Sequence, residues 1–212
     1  GIIRLLKILR HEAPEVGNVM ARLGIEDPGE PSAQVFKTQH AAHTGKLSIA
    51  RVLSGEVTEG NTYNEERPSG IFRLLGQKQE KHAKAVAGEV VALARMEAVK
   101  TGDAVSPSGK VAPAVWPEAL PTLYSLAIHA EQRADEVKLT GALAKVVEED
   151  PSLSAGQNTD TGELLISGQG EQHLQIVLDR LKNRFGISTA AQRPQVPYKE
   201  TIRKPVPQHA RH

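Results

Sequence analysis

The run from Ile166 to Phe185 constrains the fold more than any other stretch, because its hydrophobic period changes in the middle. Leu164, Leu165 and Ile166 form a short apolar run that reads as a strand. Gly168 and Gly170 interrupt it, and glycine is free to take φ > 0. Leu174, Val177, Leu178, Leu181 and Phe185 then recur at i, i+3, i+4, i+7 and i+11, which is one helical face. Gly186 supplies the stop, and Glu171 sits in the first turn, where the helix dipole favours a negative charge. A strand–turn–helix unit of this kind has to bury one side on a sheet.

The two glycines do not make a phosphate loop. Gly168-x-Gly170 lacks the third glycine of a dinucleotide fingerprint and the Gly-Lys-Ser/Thr ending of a nucleoside-triphosphate loop. The Gly-Lys pairs Gly45-Lys46 and Gly109-Lys110 fail the same test. His40 and Ala104 stand where the first glycine belongs, and Leu47 and Val111 stand where Ser or Thr belongs. No Asp-x-x-Gly or Asn-Lys-x-Asp is present. The segment carries no machinery for nucleotide hydrolysis, and no catalytic residue is assigned.

Residues 1–12 carry Ile2, Leu5, Leu6 and Leu9 on one helical face, with Pro14 ending the pattern. Residues 26–31 read as linker. From 33 to 112 short apolar runs at 34–40, 46–53, 70–77 and 88–96 alternate with glycine turns, the pattern of a small closed β-barrel. Leu47 and Ile49 share a side on which Arg51 follows, so either a bulge shifts the frame or Arg51 is partnered. Pro107, Pro113, Pro117 and Pro121 mark a boundary, with 113–121 as the linker. Residues 122–193 then read as strand 122–129, helix 135–149 (burying Leu139, Leu143, Val146 and Val147), strand 153–159 and a turn at Asp160-Thr161-Gly162. Strand 163–167, helix 170–185 and strand 187–192 follow. That order, βαββαβ, is a ferredoxin-like sandwich. The expected fold class is thus mixed β and α+β, a barrel followed by that sandwich, with 194–212 leading into a further domain.

The wording of three segments is more specific than any pattern. Ser167-Gly168-x-Gly170-Glu171-x-His173-Leu174 leading into Asp179-Arg180-Leu181, Glu149-Asp150-Pro151-Ser152 upstream, and Pro197-Tyr198-Lys199-Glu200-Thr201-Ile202 downstream resemble the third domain of elongation factor G, the ribosomal translocation GTPase. Gly45-Lys46-Leu47, Arg51-Val52, Ser54-Gly55-x-Val57, Gly60, Ala87 to Leu93 and Thr101 to Val105 resemble the second-domain barrel of translational GTPases. Gln172 and Gln175 depart from the family wording, as in a divergent or paralogous member.

The resemblance implies that 1–32 ends a G domain, that GTP and Mg belong to that G domain and not to this segment, and that both chain ends are cut from a longer protein. It implies a cytoplasmic, monomeric parent that drives GTP-dependent movement of tRNA and mRNA. It also implies contacts to small-subunit ribosomal RNA and protein and to the parent's own G and C-terminal domains. By position, Glu171, His173, Ile176, Val177 and Arg180 become the corner facing the G domain's switch region, next to the fusidic acid site. A ribosome-protection or recycling paralogue and a non-enzymatic RNA-binding adaptor are the alternative readings.

Composition narrows the rest. Net charge is +1 and aromatics are 3 % of 212 residues, which excludes a uniformly basic surface and a base-stacking platform. Lys46, Arg51, Arg73, Lys78, Lys81 and Lys84 are candidates for phosphate contact on one barrel face. No cysteine is present, so disulfides and thiolate metal sites are excluded. His40 with His43, and His11 before Glu12, do not extend to a metal-binding pattern. No signal peptide or membrane-length apolar run is visible. Acid–base work by Glu171 and His173 is outweighed by a helix-start pairing. An acyl-phosphate hydrolase of similar fold needs a glycine-rich anion cradle, whereas here Arg133 follows Glu131 and no glycine is near.

Overall fold

The computed structural model describes residues 1–13, 20–22, 24–41, 43–76, 78–115 and 117–201. Pro14, Gln77, Ile202 and the tail beyond it lie outside the described residues. Contacts divide the chain into two compact units, 1–120 with 144–152, and 121–143 with 153 onward. Helix α1 (Ile2–Glu12) has the expected amphipathic face, and none of its residues is buried.

The first unit contains β1 (Ser32–Ala41), β2 (Gly45–Ser54), β3 (Glu56–Thr58), β4 (Ile71–Leu75), β5 (Lys78–Lys81), β6 (Lys84–Val86), β7 (Val90–Ala94) and β8 (Ala104–Val105). Six strands form an antiparallel sheet in the order β5-β4-β7-β2-β1-β8, and β3 pairs with β6. Ala33, Val35, Ala50, Val52, Val57, Tyr63, Ile71, Ala85, Val91 and Leu93 share one core, so the ribbon and the sheet close over the same interior. The expected barrel is present as this sheet and ribbon, and its ladders do not join into a continuous ring among the described residues.

Strand β2 is buried on both faces, which accounts for its imperfect alternation. Ala50 and Val52 enter the core, while Leu47 and Ile49 join a second cluster with Ala92 and Ala94 on the opposite face. Register shifts leave Phe36 extra in β1 and Leu53 extra in β2. The frame therefore shifts after Arg51, which keeps its register opposite Gln34 and Val90. Strand β5 has no apolar signal, because Lys-Gln-Glu-Lys lies at the sheet edge and keeps its side chains in water.

The second unit has β9 (Tyr124–Ala130), a 3₁₀ turn (Arg133–Asp135), the first turns of α2 (Glu136–Glu149), β10 (Ser154–Gln157), β11 (Leu164–Gly168), α3 (Glu171–Phe185) and β12 (Thr189–Gln192). The antiparallel order β10-β11-β9-β12 is the expected ferredoxin-like arrangement. Leu174, Val177 and Leu181 of α3 are fully buried, as the helical period requires. The chain leaves α3 through Gly186, which is left-handed (φ 68°) and donates to the Leu181 and Lys182 carbonyls. No helix among the described residues is long and apolar enough to cross a membrane.

Candidate functional site

The glycine corner between β11 and α3 is held from several sides. Gly168 needs its lack of a side chain for space and not for φ. A Cβ there would lie 2.9 Å from His173 Nδ1, 2.9 Å from Leu174 Cδ2 and 3.0 Å from Leu153 Cδ2. Gly170, the residue before α3, is extended (φ 171°), and a Cβ there would meet nothing within 4 Å. Neither glycine uses the left-handed conformation that its residue type permits. The Gly168 carbonyl accepts the Leu123 N–H at 2.8 Å, and Ser125 Oγ and Ser167 Oγ lie 2.7 Å apart. The Gln169 N–H donates to His173 Nδ1 at 3.2 Å, and Gln169 Nε2 donates to the Pro121 carbonyl at 3.1 Å.

The five residues expected to form one contact face separate. Glu171, Ile176 (51 % exposed) and Arg180 are on the open side of α3. His173 is half-buried and turned into the corner. Val177 is 0 % exposed and belongs to the core, so no partner reaches it. The same period that predicts the helix already places Val177 inside.

The six barrel cations do not form an open basic face. Lys46 is 1 % exposed, which removes it from any phosphate contact. Its Nζ donates to the Glu97 carbonyl at 2.7 Å and is ion-paired with Glu148 Oε1, within the first unit. Glu148 Oε2 lies 2.7 Å from His40 Nε2, and the His40 N–H donates to Glu149 Oε1 at 2.5 Å. Burial pushes the Glu148 carboxyl up, but hydrogen bonds from Lys46 and His40 outweigh it and hold the group below its usual range. Arg51 is half-buried, and its Nε has no hydrogen-bond partner. Each of the other four is exposed and paired with a glutamate: Arg73 with Glu89, Lys78 with Glu80 (2.6 Å), Lys81 with Glu59 (2.9 Å) and Lys84 with Glu56. Such surface pairs are weak, each worth about 0–1 kcal/mol, so they are exchangeable, but they leave little net positive field.

Glu89 is the hub of that surface. The Val86 N–H, then His82, and against some burial also Arg73, lower its pKa from an ordinary 4.5 to about 2. A carboxyl whose pKa is lower in the folded state contributes stability that is complete above the unfolded value and is lost as pH falls towards the folded one. Glu89→Gln should therefore lower stability at pH 7 and change it little near pH 2. Urea titrations of both chains from pH 7 to 2 check this: the gap between them must narrow below about pH 4.5.

An antiparallel barrel-type sheet followed by a βαββαβ unit places the chain in the mixed β and α+β class. A model of elongation factor G domain 2 matches residues 30–108, and one of elongation factor G domain III matches 120–193. The chain belongs to the elongation factor G family, as a segment that holds these two domains. It is 45 % identical over its whole length to an elongation factor G-like protein of Synechocystis sp., of which it covers 32 %. It is 38 % identical over 82 % of its length to elongation factor G of Fervidobacterium nodosum, of which it covers 26 %. A solved structure from Thermus thermophilus superposes with a TM-score of 0.79 at 30 % identity, covering 96 % of this chain and 31 % of that one. The chain thus spans about a third of the length of the relatives it matches.

Proposed function

We propose that this segment is the central domain pair of a cytoplasmic elongation factor G-like protein that drives GTP-dependent translocation on the ribosome. Nucleotide and Mg are assigned to another part of the longer protein, since neither Gly-Lys pair here has the surrounding residues of a phosphate loop. The segment's task is mechanical. It passes the state of a nucleotide-binding domain onward through small rigid-body shifts at a packed contact. The observation that carries this reading is the braced corner, which holds Glu171, Ile176 and Arg180 outward on a helix whose Leu174, Val177 and Leu181 are buried against the sheet. The test is Ile176→Glu in the full-length protein. A charge placed in a packed contact should lower ribosome-stimulated GTP turnover by about tenfold, roughly 1.4 kcal/mol, with GTP affinity unchanged. Unchanged stimulated turnover would overturn the relay.

A second reading has support of its own. The relative at 45 % identity bears the name elongation factor G-like protein, while elongation factor G itself stands at 38 % over less of the chain. This fits a paralogue of elongation factor G, for which a recycling or ribosome-protection role is the alternative to translocation. Translocation of a tRNA pair by the purified parent separates the two readings. An RNA-binding adaptor fits less well, because five of its six candidate cations are paired with glutamates, one of them buried.

A further inference from the structure

The hydrogen bonds at the glycine corner connect two places that the proposed relay does not itself link. On one side is the first turn of α3, where His173 Nδ1 accepts the Gln169 N–H. An Nδ1 that accepts carries no proton, so the acceptor is specific to that ring atom. On the other side is the end of the proline-rich segment. Gln169 Nε2 donates to the Pro121 carbonyl, and the Leu123 N–H donates to the Gly168 carbonyl. The missing Cβ of Gly168 lets the His173 ring and Leu174 close against the same backbone. One residue, Gln169, therefore uses its main chain towards the helix and its side chain towards the entering chain.

We infer that Gln169 and His173 are positioning residues of a coupling joint, through which a displacement of the first turn of α3 is transmitted to residues 121–123. The purpose of such a joint rests on the relay reading, because 121–123 is where the proline-rich segment hands over to this unit. The joint itself rests only on the geometry within the unit. A chain of contacts is not yet a coupling, and the coupling is what the experiment measures.

The 212-residue chain, labelled with ¹⁵N, is compared by amide hydrogen exchange with three variants and one double variant. His173→Phe keeps the bulk and removes the acceptor. His173→Asn puts Oδ1 where Nδ1 was. Gln169→Leu keeps the main-chain donor and removes the side-chain one. In His173→Phe the Gln169 and Leu123 amides should both exchange about fivefold faster, the factor one ordinary hydrogen bond is worth. His173→Asn should restore both, a rescue that loss of packing alone does not allow. Gln169→Leu should speed Leu123 exchange, and the double variant should fall short of the product of the single effects. Leu123 exchange that is unmoved by either single change, or effects that multiply, would overturn the joint. Should His173→Phe unfold the unit, Gln169→Leu and His173→Asn still decide it. The outcome is separable from the relay, which Ile176→Glu tests in the full-length protein.

Discussion

Replacing Lys46 by Met should cost about 2–3 kcal/mol, read as a lowered urea midpoint at pH 7. Methionine keeps the length and apolar stem of the lysine but removes the charge. Glu148 would then keep only His40, and the Glu97 carbonyl would lose its donor. Breaking a buried pair from one side typically costs about 3–5 kcal/mol, and the 28 % exposure of Glu148 places this case at or below the low end. The reverse change, Glu148→Gln, should cost a similar amount, because it leaves the lysine, which is 1 % exposed, with the uncharged Glu97 carbonyl and no carboxylate. Removing both charges, as Lys46→Met with Glu148→Leu, should recover part of the loss, since an apolar pair of similar volume avoids desolvation while the Glu97 carbonyl still lacks its lysine donor. A phosphate-binding role for Lys46 predicts something else: Lys46→Met would weaken polyanion binding and leave the unfolding free energy from urea titration within about 0.5 kcal/mol of the parent chain's.

Lys46 also shows where reading from the sequence stops. A lysine opening a strand after a glycine turn looks like a surface charge, and its partner Glu148 lies far along the chain on another element. Only the fold brings them together. Parts with a strong local period were legible. The run to Gly168, the α3 face and the βαββαβ order all follow from apolar spacing, with ends displaced by a residue or two. Strands β3, β5, β6 and β8 were not, because two to four polar or mixed residues at an edge carry no period. At the corner, Glu171, Ile176 and Arg180 are exposed. Val177 is not, because a buried face set by helix geometry overrides a contact role inferred from resemblance. Gln169 gave no signal at all: its use lies in a main-chain and a side-chain bond to residues on either side.

Gly168 and Gly170 look alike in the sequence and should respond oppositely to the same change. Gly168→Ser should cost about 1–3 kcal/mol, the range for forcing atoms into a packed site. Its Cβ would lie within 3.0 Å of Leu174 and Leu153, whose side chains are 0 % and 4 % exposed and so cannot swing into solvent. The remaining neighbour, the half-buried His173 ring, is the one able to give way. Its retreat takes Nδ1 from the Gln169 N–H, so strain at residue 168 becomes a lost hydrogen bond at 169. Gly170→Ser meets none of this. The backbone is extended, the space is open, and α3 begins without a side-chain cap. A serine there can accept the N–H of Gln172 or His173, so the change should gain up to about 0.5 kcal/mol. Urea midpoints for the two variants check the contrast, with Gln169 amide exchange faster only in Gly168→Ser. Equal costs at both positions would mean that the corner needs glycine for its backbone angles after all, and the close approach of His173 to residue 168 would then explain nothing.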